Sequence, residues 1–368
     1  MKRTGTAVFP LHGGQAPRWL FERMTRLSRG IIAALVEHDG PESVLVRLSD
    51  PFWFQAFGCL LGFDWHSSGV TTTVCGALRQ GLRGTEHELG LLVAGGKGKA
   101  SRKTPQELVE YSDRFGLDAE SLVYASRLSA KVDNNAVQDG YQLYHHTFIL
   151  TTLGKWAVIQ QGMREGDRTA RRYHWLSERI ESFVQEPHAA VCCDQRVETL
   201  NLVAAESEAA RQTMTLMSRE TPSHLTALLR QVRHLAMPAR HAIHLQDIDP
   251  ARLSRIFLHT YGAQASTFEK LLGLPKVGAK TLRALALLSE LLAGAPPSWR
   301  DPTRFAFAHG GKDGIPFPVD RTTYDHTAGM LEEAVRRARI GEPDRLQALR
   351  RLHTFFTPAS DHALSTGR

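Results

Sequence analysis

Apolar residues return every third or fourth position from Leu20 through Met24, Leu27 and Ile31 to Leu35, which predicts a helix opened by Pro17. SVLVRLSD at 43–50 alternates apolar and polar positions and predicts a strand. A helix capped by Ser67 or Ser68 is expected over about 70–82, and a buried strand over 89–93. Thr104-Pro105-Gln106-Glu107 has the form of a capping box with a first-turn proline and predicts the next helix start. HTFILTT and KWAVIQQGM flank Leu153-Gly154 and predict a β-hairpin.

The pattern then becomes helical. Long polar helices are expected at about 171–184 and 194–217. Shorter ones follow at about 225–236, 250–260, 265–272, 279–292, 320–340 and 343–355. The proline- and glycine-rich stretch at 293–317 predicts an ordered excursion or lid. The expected fold class is therefore α+β. A mixed α/β domain at 1–186 precedes an all-helical domain at 187–358 and a frayed tail at 359–368.

Composition adds a partner. A formal net charge of +7 favours a polyanion, while 42% hydrophobic and 23% charged residues are near globular averages. The four cysteines form no CxxC pair, so neither a disulfide scaffold nor a zinc or iron–sulfur cofactor is expected. MKRTGTAVFPLHGG lacks a signal-peptide core, and no apolar run approaches the roughly 20 residues of a membrane span. A cytoplasmic protein that inserts in no membrane is expected.

The candidate chemistry begins with LGLPKVGAKTLRALALLSELL at 272–292. Leu274, Pro275, Val277 and Gly278 predict a tight loop running into an amphipathic helix, with backbone N–H groups suited to a phosphate oxygen. Lys276, Lys280 and Arg283 surround Gly278 with positive charge. A second basic run, GGKGKASRK at 95–103, carries Lys97, Lys99, Arg102 and Lys103 but not the Walker spacing. It is expected to be a loop, facing either nucleic acid or solvent.

SAKVDNNAVQDGYQLYHHTF at 129–148 gathers hydrogen-bonding residues beside the predicted hairpin. Lys131 is a candidate nucleophile there, and Asp133 with His145 or His146 a candidate acid–base or metal pair. Six aromatics between Phe52 and Trp65 fit ordinary core or base stacking. Asp64-Trp65-His66-Ser67-Ser68 reads either as an anion site or as simple capping, while His234, His241 and His244 read best as surface residues.

LPKVGAKTLRA followed by FPVDRTTYD resembles the helix-hairpin-helix base-excision DNA glycosylases over roughly residues 250–340. That resemblance implies a lysine, here Lys280, that attacks the sugar C1′ to form a Schiff base. It also implies an aspartate, here Asp320, that supports the cationic charge. Across its whole length the chain is similar to an archaeal and bacterial family known as domain of unknown function 763. SDPFWFQAFGCLLGFDWHSSGVTTTV, AKVDNNAVQDGYQLYHHTF and GGKDGIPFPVDR carry that likeness. The expected function is DNA repair on duplex or single-stranded damaged DNA, by AP lyase chemistry with or without glycosylase activity. Lys312 of the GGKDG segment is a further DNA-binding candidate and alternative amine. The rival readings are a metal-dependent nuclease and a non-catalytic DNA-binding protein.

Overall fold

The computed structural model describes residues 17–62, 69–164, 166, 169–193, 196–232, 250–303 and 321–356. Four helices come first: α1 (Arg18–Asp39), α2 (Pro41–Ser49), α3 (Pro51–Leu61) and α4 (Gly69–Leu82). The single turn α5 (Glu86–Leu89) leads into β1 (Leu91–Lys97), then α6 (Lys99–Phe115) and α7 (Ala119–Lys131). A π-helical turn at Val132–Ala136 joins α7 to β2 (Val137–Gln138). β3 (Gln142–Thr151), β4 (Trp156–Arg164), β5 (Thr169–Leu176) and β6 (Ala190–Cys192) follow, then β7 (Leu200–Asn201). The later helices are α8 (Glu208–Met217), α9 (Pro222–Val232), α10 (Pro250–Ala263), α11 (Phe268–Gly273) and α12 (Ala279–Ala293). Last come α13 (Arg321–Arg337) and α14 (Glu342–Phe356).

The strands form an antiparallel sheet of order β1-β3-β4-β5-β6, and β2 pairs separately with β7. Each sheet face carries its own core, because strand side chains alternate between faces. Leu91, Val93, Ile149, Ile159 and Leu176 pack with α1–α4, α13 and α14. Leu92, Phe148, Val158, Tyr173 and Trp175 pack with α6–α12. Both cores draw on residues before and after Pro187, and α13 and α14 return to the face covered by α1 and α3.

Several expectations need correction. Residues 43–50 are not a strand but most of α2, where Pro41 starts the helix and Val44, Leu45 and Leu48 bury one helical face. Residues 95–103 are not a loop: β1 runs to Lys97 and α6 begins at Lys99, with Gly98 alone between them. Pro105 therefore lies inside α6, and Thr104 Oγ1 donates back to the Ser101 carbonyl instead of capping a new helix. The predicted helix at 171–184 is instead the end of β5, whose arginines are buried rather than solvated, followed by a 3-10 turn at Ser177–Arg179. Two short strands, β6 and β7, lie beyond residue 187, where the pattern predicts helices alone. The hairpin is as expected, with Gly154 at φ 84° in the β3–β4 turn. Trp53, Phe54 and Phe57 are core, while Asp64–Ser68 lie outside the described residues. His234, His241 and His244 lie outside them too.

Candidate functional site

The end of α7 and the loop between α11 and α12 are built around one ammonium group. Lys131 Nζ donates to the carbonyl oxygens of Leu272 at 2.7 Å and Val277 at 3.3 Å, and also to that of Leu274. Three donors thus meet three carbonyls of one loop, and partial burial holds the Lys131 pKa below the ordinary lysine range. Gln138 continues the clamp: Nε2 donates to the Ala279 carbonyl at 2.9 Å, and Oε1 accepts from Arg283 Nε at 2.8 Å.

With those carbonyls tied to the body, Lys276 and Lys280 are exposed at the loop and on the first turn of α12. Lys276 adopts φ 65°, a left-handed conformation disfavoured for a residue with a side chain. Gly278 is the N-cap and has no side chain to satisfy the first-turn N–H groups, which lack intrahelical acceptors. The sequence candidates Lys131, Lys276, Gly278, Lys280 and Arg283 therefore share one neighbourhood. Lys97, Lys99, Arg102 and Lys103 are exposed around the start of α6, and α7 contacts both α6 and α11. Asp320 and Lys312 lie outside the described residues.

Asp133 sits in the π-helical turn just behind the clamp and is fully buried. Its Oδ2 accepts from Gln160 Nε2 at 2.5 Å and Trp175 Nε1 at 2.9 Å, while Oδ1 lies 2.5 Å from His188 Nε2. Burial raises its pKa, and the neighbouring His188 opposes that rise. Neither sequence-proposed histidine is its direct partner. His146 reaches Asp133 only through Gln160, whose Oε1 lies 2.9 Å from His146 Nδ1; Ser126 Oγ lies 2.9 Å from His146 Nε2. His145, the adjacent strand residue, belongs to the other sheet face and meets Thr147 Oγ1 at 2.8 Å. Burial brings the His145 pKa down to about 3 and that of His146 to about 4.

Two neighbouring sheet rows concentrate these polar groups. One runs Gly96, His146, Gln160, Tyr173 and Val191; the next runs Lys97, His145, Gln161, Arg172 and Cys192 on the opposite face. A second buried network anchors the first row's end. Arg171 donates to Asp139 at 2.9 Å and to Asp301 at 2.7 Å, and Tyr173 OH donates to Asp139 at 2.6 Å. Burial raises the Asp139 pKa; at Asp301 burial also raises it, but Arg171 and further hydrogen bonds bring it below the usual value. Among the described residues, no three His, Cys, Asp or Glu side chains converge as a metal-binding group.

Sequence reasoning missed His188, Gln160, Trp175, Arg171 and Asp301. His188 follows the domain boundary expected at Glu186-Pro187, and its carboxylate partner lies 55 residues earlier. No periodicity records a contact of that kind.

The fold defines a mixed protein of antiparallel sheet covered by helices on both faces, with a basic loop clamped to one side. The family described as "Protein of unknown function (DUF763)" matches residues 5–319, and the chain belongs to that family. No curated protein and no solved structure matches it. Among the described residues no helix is long and apolar enough to cross a membrane.

Proposed function

We propose that this chain grips the DNA backbone through the loop between α11 and α12 and acts there on abasic sites by lysine imine chemistry. The observation that carries the reading is the Lys131 clamp, which ties the carbonyls of Leu272, Leu274 and Val277 inward. The exposed side of the loop is then left to Lys276, Lys280 and the N-terminal N–H groups of α12, an arrangement that suits a phosphate. Read with α11 and α12, the loop takes the part of the helix-hairpin-helix that the glycosylase resemblance implies.

In this reading the neutral amine of Lys280 attacks C1′ of the ring-opened sugar, and water leaves as the imine forms. Asp320 is the carboxylate that the resemblance assigns beside the cationic intermediate. Lys131 has a positioning role, since its amine is engaged by three carbonyls. Lys97, Lys99, Arg102 and Lys103 offer a second backbone contact. Incubation with an abasic-site oligonucleotide under borohydride tests the proposal. A covalent adduct that disappears in Lys280→Ala is the expected result. Persistent trapping in that variant moves the nucleophile to another amine, Lys312 included; no adduct with any form leaves the loop as a phosphate clamp only.

A further inference from the structure

Helices α1 and α13 touch at one end and part toward the other. A Cβ on Gly30 of α1 would lie 2.8 Å from Ile340 and 3.5 Å from Ala338, so the chain just past α13 rests against the α1 backbone. Further back along α13, at Gly329, a Cβ would meet nothing within 4 Å. Between the helices lies a cavity of about 410 Å³, walled by Ala34 and Leu35 of α1 and by Gly329, Met330 and Ala334 of α13. Small residues on the facing turns leave that space, while Leu331, Val335 and Ala338 turn into the core from the next stripe of the helix. Small-molecule pockets run from roughly 300 to 1,000 Å³ and are mostly apolar, and this cavity is of that kind.

Polar side chains complete the lining: His38 and Asp39 of α1, and His326, Glu333 and Arg337 of α13. Some of them are already engaged. Asp39 is occupied at both oxygens, since Oδ1 lies 2.5 Å from His38 Nδ1 and Oδ2 accepts from Arg47 Nη2 at 2.5 Å. Glu333 Oε1 accepts from Arg337 Nε at 2.6 Å.

The positions left over are mainly donors. Among the described residues, both Nη groups of Arg337 and the whole ring of His326 have no protein partner. Against them stands one carboxylate oxygen, Glu333 Oε2. Two Nη groups in one plane match the two oxygens of a carboxylate, and such a charge-assisted pair is stronger than one between neutral groups. A ligand that satisfies this lining has an apolar body and an anionic head.

We propose that the wedge between α1 and α13 binds a small organic acid. Its apolar body lies against Leu35 and Met330, and its carboxylate sits on the Nη pair of Arg337 with His326 beside it. The bound acid ties α13 to α1. Both helices cover the sheet face opposite the α11–α12 loop, so this site stands whether or not the DNA reading holds. A ligand that binds only the folded chain also raises its stability as the ligand concentration rises.

The experiment titrates the full chain with naphthoate and with its neutral amide, naphthamide, by calorimetry and thermal unfolding. The acid is expected to saturate a single site, to raise the unfolding temperature, and to bind at least about tenfold more tightly than the amide. Arg337→Gln should bring the acid down to the level of the amide. Glu333→Gln, which removes the facing anion, should tighten the acid alone. Gly329→Leu fills the cavity and should abolish binding of both probes, while the helix holds because glycine is a poor interior residue. Equal affinity for acid and amide, or an Arg337→Gln chain that binds the acid as the wild type does, overturns the carboxylate assignment. No saturable binding of the acid, or undiminished binding in a folded Gly329→Leu chain, overturns the site. A second copy seated in the wedge would appear in sedimentation as a concentration-dependent dimer that Gly329→Leu dissolves, and that result without naphthoate binding also overturns it.

Discussion

Lys131 Nζ stands 2.7 Å from the carbonyl oxygen of Leu272, 141 residues further along the chain, and the same ammonium meets two more carbonyls of that loop. Replacing Lys131 by Met keeps the aliphatic stem but strips three acceptors of their donor. Unsatisfied buried polar groups typically cost about 1–3 kcal/mol, and a urea titration should show a loss in that range. DNA affinity should fall alongside stability, because the loop that presents Lys276 and Lys280 is no longer held. Undiminished binding in a folded Lys131→Met chain would separate the clamp from the interface.

Arg171 gives a larger effect. Its guanidinium bridges Asp139 and Asp301 with its side chain fully buried, so removing the cation strands Asp139 in the interior. Arg171→Met should destabilise the fold by about 3–5 kcal/mol. Asp139→Asn in the Arg171→Met background should recover part of that loss, since the stranded charge is then gone. Equal stabilities for the single and double variants would show that Asp139 is already neutral there.

These two lysine and arginine contacts also mark how far the sequence can be read. The β3–β4 hairpin and the α11–α12 segment follow from local signals: alternation around Leu153-Gly154, and apolar spacing broken by the loop of Leu274, Pro275, Val277 and Gly278. β5 does not, because Arg171 and Arg172 read as solvated helix positions until partners distant in sequence are known. α2 was misread for a related reason. Val44, Val46 and Leu48 alternate like a strand, whereas burial selects Val44, Leu45 and Leu48 on a helical face. At the site, Lys131, Asp133 and Gln138 stood out by polar density beside an apolar strand. Their partners Leu272, His188 and Ala279 were set only by tertiary packing.

Acid should expose the buried histidines. His146 has its folded pKa lowered to about 4 by burial, against an ordinary value of 6.5. Below pH 6.5 the unfolded chain takes up a proton that the folded chain refuses until about pH 4, so this contribution to stability falls as pH drops through that window. Between pH 7 and pH 5 the share of His146 is about 2 kcal/mol. In His146→Gln the loss of stability over the same interval should shrink by about that amount. An unchanged slope in urea titrations at the two pH values would mean that His146 is not buried neutral.

DNA affinity should fall steeply with salt, because neutralised phosphates release counterions. Lys276→Ala and Lys280→Ala should each lower the slope of log affinity against log salt by about 1, and do so alike for unrelated sequences. A change in sequence preference would instead point to base contacts.

Gly278 separates the loop's fold from its interface. Its φ is −128°, in the extended region open to any residue, and a Cβ built there meets nothing within 4 Å. Gly278→Ala should therefore fold normally, the smaller freedom of its unfolded chain offsetting the poorer helix cap that alanine makes, so stability should stay within about 1 kcal/mol. The empty space beside the first-turn N–H groups of α12 is where a phosphate oxygen is proposed to sit, and the new methyl group occupies part of it. DNA binding should then weaken for all sequences alike while the unfolding midpoint stays near that of the wild type. Thermal unfolding and fluorescence anisotropy on the same samples give both readings. A Gly278→Ala chain that binds as tightly as the wild type would remove this loop from the interface and leave the α6 lysines as the surface to test next.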